Sequence, residues 1–442
     1  MNKKIYIVQL ILILGVSSVL TGCSPAKNSN PTKSEEITVI NPTAQKEVNE
    51  IKTSSVPNFQ GIYNNTIEID VKFDSSSMYS NKAVKIKDGK MISDILTMIG
   101  KSQLIQDESK INNMSGMAAK NNSMILVQSD KSKKEIKFAF DDAAFAFGYI
   151  QIDNNKFDPG FSFCRYIRDL TEYRQFDTNI DKASEELFKK YNWTIDYRIN
   201  TINETLPSNL KYEAGEYPVK LYWAYNKELS KSIGLDYSEY LGKKVQVDIY
   251  RLREPLPDYM SPRMDSRGIL VKYDNKIIGA FIDAGRHSNF ACSLNRKSLA
   301  DITNKEWNSW VSDYMDYNNE LEIKLSKMKP EDIIKEYYAA INSHNEKLQY
   351  ACMTTQNVSS YLAMNMDNNQ LINGSFKDAY VLETQNTAPW KLISIKQLNI
   401  PDNKAGTLEY AVTDLKFETR YIILEKESDK IGWRIQGVGT GP

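Results

Sequence analysis

From Ile67 to Phe73 the chain alternates, with Ile67, Ile69, Val71 and Phe73 set against Glu68, Asp70 and Lys72. A period of two predicts a half-buried strand. Ala83 to Ile86 predicts a second. After Asp88-Gly89 the period changes: Met91, Ile92, Ile95, Leu96 and Ile99 share one helical face, and Gly100 ends the run. Met124 to Gln128 and Glu135 to Phe140 read as strands joined by a polar hairpin, followed by another strand over Phe145 to Ile152. The aromatic density between Phe138 and Phe147 admits a carbohydrate- or peptide-binding platform, but its alternation assigns it to a core.

Further on, Ala183, Leu187, Phe188 and Tyr191 form a helical stripe leading into Trp193. A helix follows Pro218, with Leu221, Tyr222, Tyr225, Leu229 and Ile233 on one face and Gly234 as its stop. Val245, Val247 and Ile249 alternate, and Gly268 to Asp283 reads as a hairpin turning at Asp274-Asn275. Trp307, Trp310, Val311, Tyr314, Leu321 and Leu325 predict one long amphipathic helix packed between this unit and the next. Pro330 opens a helix with Glu331 and Asp332 in its first turn and Ile333, Ile334, Tyr337, Tyr338 and Ile341 on its buried face. A second helix is expected over Glu346 to Met364. Strands follow at Trp390 to Leu398, Leu408 to Phe417 and Arg420 to Leu424, with Gly432 to Val438 as returning partner. The pattern predicts a multi-domain α+β protein, helices packed on antiparallel sheets, with units over 59–176, 177–327 (including the linking helix) and 328–442.

The first 58 residues follow another logic. Lys3 and Lys4 precede an apolar run from Ile5 to Leu20, too short to span a bilayer, which reads as a secretory signal over 1–22. Its closing Leu20-Thr21-Gly22-Cys23 resembles the lipobox of bacterial lipoproteins. That resemblance implies cleavage before Cys23, lipid on its sulfur and amino group, and a chain held by that lipid on the extracytoplasmic face of the cell membrane. Residues 23–58, rich in Ser, Asn, Thr, Lys and Pro, read as a tether that as a random coil spans roughly 30 Å.

Charge narrows the partners. The 56 basic and 56 acidic residues cancel, which gives no electrostatic reason to expect a nucleic acid. A membrane through the N-terminal lipid, and a small ligand, peptide or envelope protein, are the expected partners. Beyond Cys23 there are Cys164, Cys292 and Cys352. Their apolar neighbours favour three buried thiols, with one disulfide and a leftover thiol as the other reading.

The densest polar stretch runs from Asp283 to Ser293. Arg286 and His287 are its candidate ligand-binding residues, suited to a carboxylate or phosphate. Cys292 with His287 as base and Asp283 as orienter is the enzymatic alternative; the bland reading is a polar loop with Cys292 buried. His344 follows a helix end, where the dipole alone accounts for an imidazole. Asp414 and Glu409 are the acids a pocket in the last unit would use, though alternation points both to solvent. Two distant histidines and scattered cysteines make no metal cluster, and neither a phosphate loop nor a nucleophile elbow is present, so neither metal nor cofactor is expected.

Particular residues of the last two units resemble known families. The order helix, helix, long antiparallel strands, closing on Gly432-Trp433-Arg434-Ile435 and Gly439-Thr440-Gly441-Pro442, resembles the cone-shaped fold of nuclear transport factor 2-like proteins. Pro330-Glu331-Asp332-Ile333-Ile334 with Tyr337-Tyr338 is similar to a domain of unknown function recurrent in Gram-positive lipoproteins. Tyr191-Asn192-Trp193, Tyr225-Asn226, Leu241-Gly242-Lys243 and Ile277-Ile278-Gly279 resemble another uncharacterised domain of secreted proteins. Neither carries an established activity, so no functional residue transfers. The expectation is a non-catalytic surface lipoprotein that binds a ligand or partner, with an extracytoplasmic enzyme or a structural component of an envelope or sensory complex as alternatives.

Overall fold

A computed structural model describes residues 63–74, 83–112, 119–140, 148–172, 177–260, 265–284, 290–359, 391–399, 405–414 and 419–439. The chain divides into two units, Met1–Lys52 and Thr53–Pro442, and every described residue lies in the second. Helices and three antiparallel sheets make it an α+β protein.

The first sheet has seven strands: β1 (Thr66–Lys72), β2 (Ala83–Ile86), β3 (Gln103–Leu104), β4 (Ala119–Gln128), β5 (Lys133–Phe140), β6 (Gly148–Ile152) and β7 (Asn155–Asp158), in the order β2-β1-β4-β5-β6-β7-β3. The alternation of β1 places Ile69 and Val71 in the core, with Ile69 across from Ile86 on one side and Leu126 on the other. Helix α1 (Gly89–Gly100) starts where Asp88 accepts a hydrogen bond from Met91 N at 2.8 Å, and it buries Ile92, Ile95 and Ile99. Phe138 and Phe140 are buried and stacked, with Phe73 and Phe163 set edge-on, so the described part of the aromatic run is core. Phe145 and Phe147 lie outside the described residues. After the short α2 (Ser109–Asn112), helix α3 (Phe161–Glu172) packs beside α1. Helix α3 is not apparent from periodicity, because Arg165, Arg168 and Asp169 interrupt its apolar face.

The second sheet runs β11-β10-β9-β8, with β8 (Ile195–Thr205), β9 (Lys244–Leu252), β10 (Arg267–Tyr273) and β11 (Lys276–Asp283). Both faces are covered. Val247, Ile249, Ile269 and Val271 join one core with the buried face of α5 (Val219–Lys231), while Tyr250, Leu252, Leu270 and Ile282 join another with Phe188 of α4 (Lys182–Lys190) and Trp193. The hairpin turns at Asp274 and Asn275, both at positive φ (47° and 64°), as a two-residue connection of this hand demands. Strand β8 was not among the expected elements, although Ile195, Tyr197 and Ile199 alternate with Asp196, Arg198 and Asn200 along it.

The long helix expected over Trp307 to Leu325 is instead two short ones. After α6 (Leu299–Thr303) come α7 (Trp307–Val311) and α8 (Glu320–Leu325). A parallel bridge between Tyr212 and Met315 separates them: Tyr212 N donates to Tyr314 O at 2.7 Å and Asp316 N to Tyr212 O at 2.8 Å. Backbone groups recruited by a distant segment cannot continue a helix, and Asn319 starts the next one by accepting from Leu321 N and Glu322 N.

The third sheet is β12 (Leu392–Leu398), β13 (Thr407–Asp414), β14 (Arg420–Ser428) and β15 (Gly432–Gly439), in that order. Helices α9 (Pro330–Asn342) and α10 (Glu346–Ala351) pack with it around Ile334, Tyr338, Val412, Ile422 and Ile435. The helix expected over Glu346 to Met364 breaks at Cys352, where Ile435 N donates to Cys352 O and Thr354 N to Ile435 O at 2.8 and 2.9 Å. It resumes over 355–359, and 360–390 lie outside the described residues.

Two carboxylates are buried on the seam between α7–α8 and this sheet. Glu322 pairs with Arg434 Nη2 at 2.8 Å. Glu427 accepts from Thr355 N at 2.9 Å and Thr355 Oγ1 at 2.5 Å, and Trp307 Nε1 donates onward to that same hydroxyl at 2.9 Å. Its second oxygen has no partner among the described residues. Burial pushes the Glu427 carboxyl up to about 7, against the pull of Thr355 and Arg434. A carboxyl raised in the folded state contributes stability below its unfolded value, and that contribution is lost as pH rises through the folded one. The loss should amount to something on the order of 3 kcal/mol. Thermal unfolding followed at pH 5 and pH 8 should therefore show the wild type losing stability on alkalinisation, and Glu427→Gln, which is neutral throughout, should lose less and be the more stable at pH 8.

Candidate functional site

Where α1 and α3 meet the start of β8 lies a cleft of about 550 Å³. Met98 of α1, Phe161 and Tyr166 of α3 and Tyr197 of β8 supply its apolar surface. Lys90, Asp94, Lys101, Arg165, Asp196 and Arg253 supply its charges. Helix α3 begins after Gly160, which sits at φ +79° and has no side chain with which to cap it; the first turn carries no acid.

The back of the cleft is rigid because charge is buried behind it. Arg168 and Asp169 of α3 meet Arg251 of β9 and Asp265 just before β10, and all four side chains are at most 4% exposed. Arg251 Nε and Nη2 donate to the two oxygens of Asp169 at 2.8 and 3.1 Å, while its Nη1 donates to Asp265 at 2.6 Å. Arg168 Nε donates to Asp169 at 3.0 Å and its Nη2 to Asp265 at 2.8 Å. Two cations alternate with two anions, so each desolvated charge faces two of opposite sign. Burial alone raises the Asp169 carboxyl, but Arg251 and Arg168 outweigh it and hold it below the ordinary carboxylate range. Tyr197 couples this cluster to the cleft: its hydroxyl donates to Asp169 at 2.9 Å, and its ring meets Tyr166 edge-on with centroids 4.9 Å apart.

One step nearer solvent, Asp196 accepts from two guanidiniums. Arg165 Nη2 reaches Oδ2 at 3.1 Å, and Arg253 Nε and Nη2 reach Oδ1 at 3.0 and 2.9 Å. Arg165 also donates to Leu252 O at 3.1 Å, so α3 is fastened to the second sheet by side chain and backbone together. What the arrangement can do is hold a polar ligand against a preformed wall.

None of the described residues singled out from the sequence lines this cleft. Cys23, Arg286 and His287 fall outside the described residues. Asp283, the orienter of the enzymatic alternative, faces Arg267 in a two-pronged pair at 2.8 and 3.0 Å. Cys292 is inside the core beneath the second sheet, bridged through its backbone to Ile282, and burial pushes its thiol up to about 12. Cys164 and Cys352 are likewise buried, with thiols up to about 12; all three are free. Among the described residues, burial outweighs the Tyr259 hydroxyl and the Arg296 charge, the two side-chain groups that favour the Cys292 thiolate. His344 follows α9 at φ +52°, the left-handed position of a helix end. Glu409, expected toward solvent, is only 6% exposed, because β13 is a central strand that sets it between Leu398 and Ile423. The side chain of Asp414 is not among those described. No group of three or more metal-ligating residues occurs among the described residues, and no described helix is long and apolar enough to cross a membrane.

Sequence reasoning missed Arg165, Asp196 and Arg253. The one signal was Phe161-Ser162-Phe163-Cys164-Arg165-Tyr166-Ile167-Arg168-Asp169, charges at helical spacing inside an aromatic stretch. Such charges belong to a buried network only if a partner element supplies their opposites, and the partners are 31 to 97 positions away.

Among known proteins, residues 187–282 match a domain of unknown function, DUF4830. The match takes in the second sheet and α5, and contains every residue on which the second uncharacterised-domain resemblance rested. No curated protein and no solved structure matches the chain.

Asp169→Asn leaves Arg251 and Arg168 buried against half their countercharge, and should cost about 3 kcal/mol or more in chemical denaturation. The cluster's contribution is present above about pH 4 and should fade as pH drops through the depressed Asp169 value.

Proposed function

We propose that this protein is a non-catalytic lipoprotein, held through Cys23 on the extracytoplasmic face of the membrane, which binds a small ligand or peptide in the cleft between α1, α3 and β8. The observation that carries the reading is the cleft itself. Its volume falls within the range of small-molecule sites, it lies where separate sheet modules meet, and its walls mix aromatic surface with a few fixed charges. The buried cluster behind it supports binding without large rearrangement. The anchor rests on the first 23 residues: a basic start, a short apolar run and Leu-Thr-Gly-Cys. Two or three acyl chains on Cys23 would hold the protein durably, where one would not. The tether would let the folded part stand off the lipid surface. For 328–442 we propose the nuclear transport factor 2-like cone; two helices packed with an antiparallel sheet support that reading.

Mass spectrometry of the protein purified from its host should find a chain beginning at Cys23 with acyl groups attached, and Cys23→Ser should leave the signal uncleaved or the protein in the medium. Native mass spectrometry of the same material should show a reproducible excess mass, reduced by Met98→Trp, which fills the cleft. A bare mass in every preparation would count against the binding reading.

A further inference from the structure

We infer that the ligand of this cleft is an organic anion, a carboxylate or phosphate group on an apolar body, drawn to Lys101 and Arg253. The inference rests on the binding reading above and adds the chemical class. Its basis is a local imbalance in a chain whose total charge is zero. On one wall Lys90 is matched by Asp94 at 3.1 Å. On the other, a single carboxylate, Asp196, serves both Arg165 and Arg253. Lys101, at the end of α1, is exposed and has no acid within ion-pair distance among the described residues. Among the residues that line the cleft, four cations against two anions leave an excess of two positive charges.

That excess is not an ordinary solvated surface. The Arg165 side chain is 2% exposed, so its charge acts through protein rather than through water, and a concave low-dielectric wall concentrates the field at the mouth. Arg253 keeps two-thirds of its side chain in solvent while Asp196 fixes one edge of its guanidinium. Its outer edge is thereby aimed without being consumed, the arrangement that suits a planar or tetrahedral anion. Phe161, Met98 and Tyr166 give the remainder of the ligand an apolar bed.

The test is ligand-observed NMR on the whole folded chain with three matched probes: benzoate, phenyl phosphate and the neutral benzamide. At least one anion should bind about tenfold or more tightly than benzamide, weakening at high salt. Lys101→Ala and Arg253→Ala should each lower anion affinity several-fold without shifting the melting temperature. Preference between the two anions assigns the source, an organic acid or peptide end against a phosphorylated envelope component. Equal binding of benzamide, an anion affinity indifferent to both substitutions, or no binding by any probe would overturn the inference. A neutral adduct in native mass spectrometry would overturn it too, while leaving the cleft a binding site. Anion binding lost with Lys101→Ala but unaffected by Met98→Trp would instead separate the charge from the cleft and overturn both.

Discussion

The arrangement of the first two sheets depends on four charges that water cannot reach. Arg168, Asp169, Arg251 and Asp265 come from a helix of the first module, a central strand of the second sheet and the approach to its neighbour. Any relative shift of α3 against β9 would break several charge-assisted hydrogen bonds at once and strand a desolvated ion. An apolar interface of the same size tolerates sliding; an alternating ring of charges has one register. The continuous core shared by Ile167, Tyr197, Ile199 and Ile249 supplies burial, and the charges fix position.

The same helix therefore has two uses. Asp169 and Arg168 face inward and lock it, while Arg165 stands one turn earlier and lines the cleft. Tyr197 bridges the two levels through its hydroxyl and its ring. A cleft wall built in this way is preorganised, since its side chains are held before any ligand arrives. The seam with the last sheet is built differently. There Glu322 pairs with Arg434 through one oxygen and Glu427 with Thr355 through one, each leaving its other oxygen without a partner among the described residues, so that seam weakens as pH rises whereas the first one weakens only as pH falls.

Elements whose boundary signals are local were legible. Asp88 ahead of α1, Gly234 after α5, Asp274-Asn275 in the hairpin and Pro330 at the first turn of α9 each act through their own backbone neighbours. The third-sheet strands were legible because they alternate. Elements shaped from outside were not. Tyr212 interrupts the run after Trp307, and Ile435 interrupts the helix begun at Glu346; both partners are roughly 80 to 100 residues off. Helix α3 was hidden for a related reason, because its charges look like surface residues until their partners are in place.

The sequence by itself determined the α+β class, the local stops and starts, the neutrality of the chain and the apolar settings that bury Cys164, Cys292 and Cys352. These follow from periodicity and composition, which act over a few residues. Only the tertiary structure decided that Arg165, Asp196 and Arg253 share a cleft with Lys101, that Asp283 faces Arg267, and that Glu409 is covered. Side-chain charge carries no label of its partner along the chain; the register of strands and the docking of α3 bring opposite charges into hydrogen-bond contact, and burial then gives that proximity its strength.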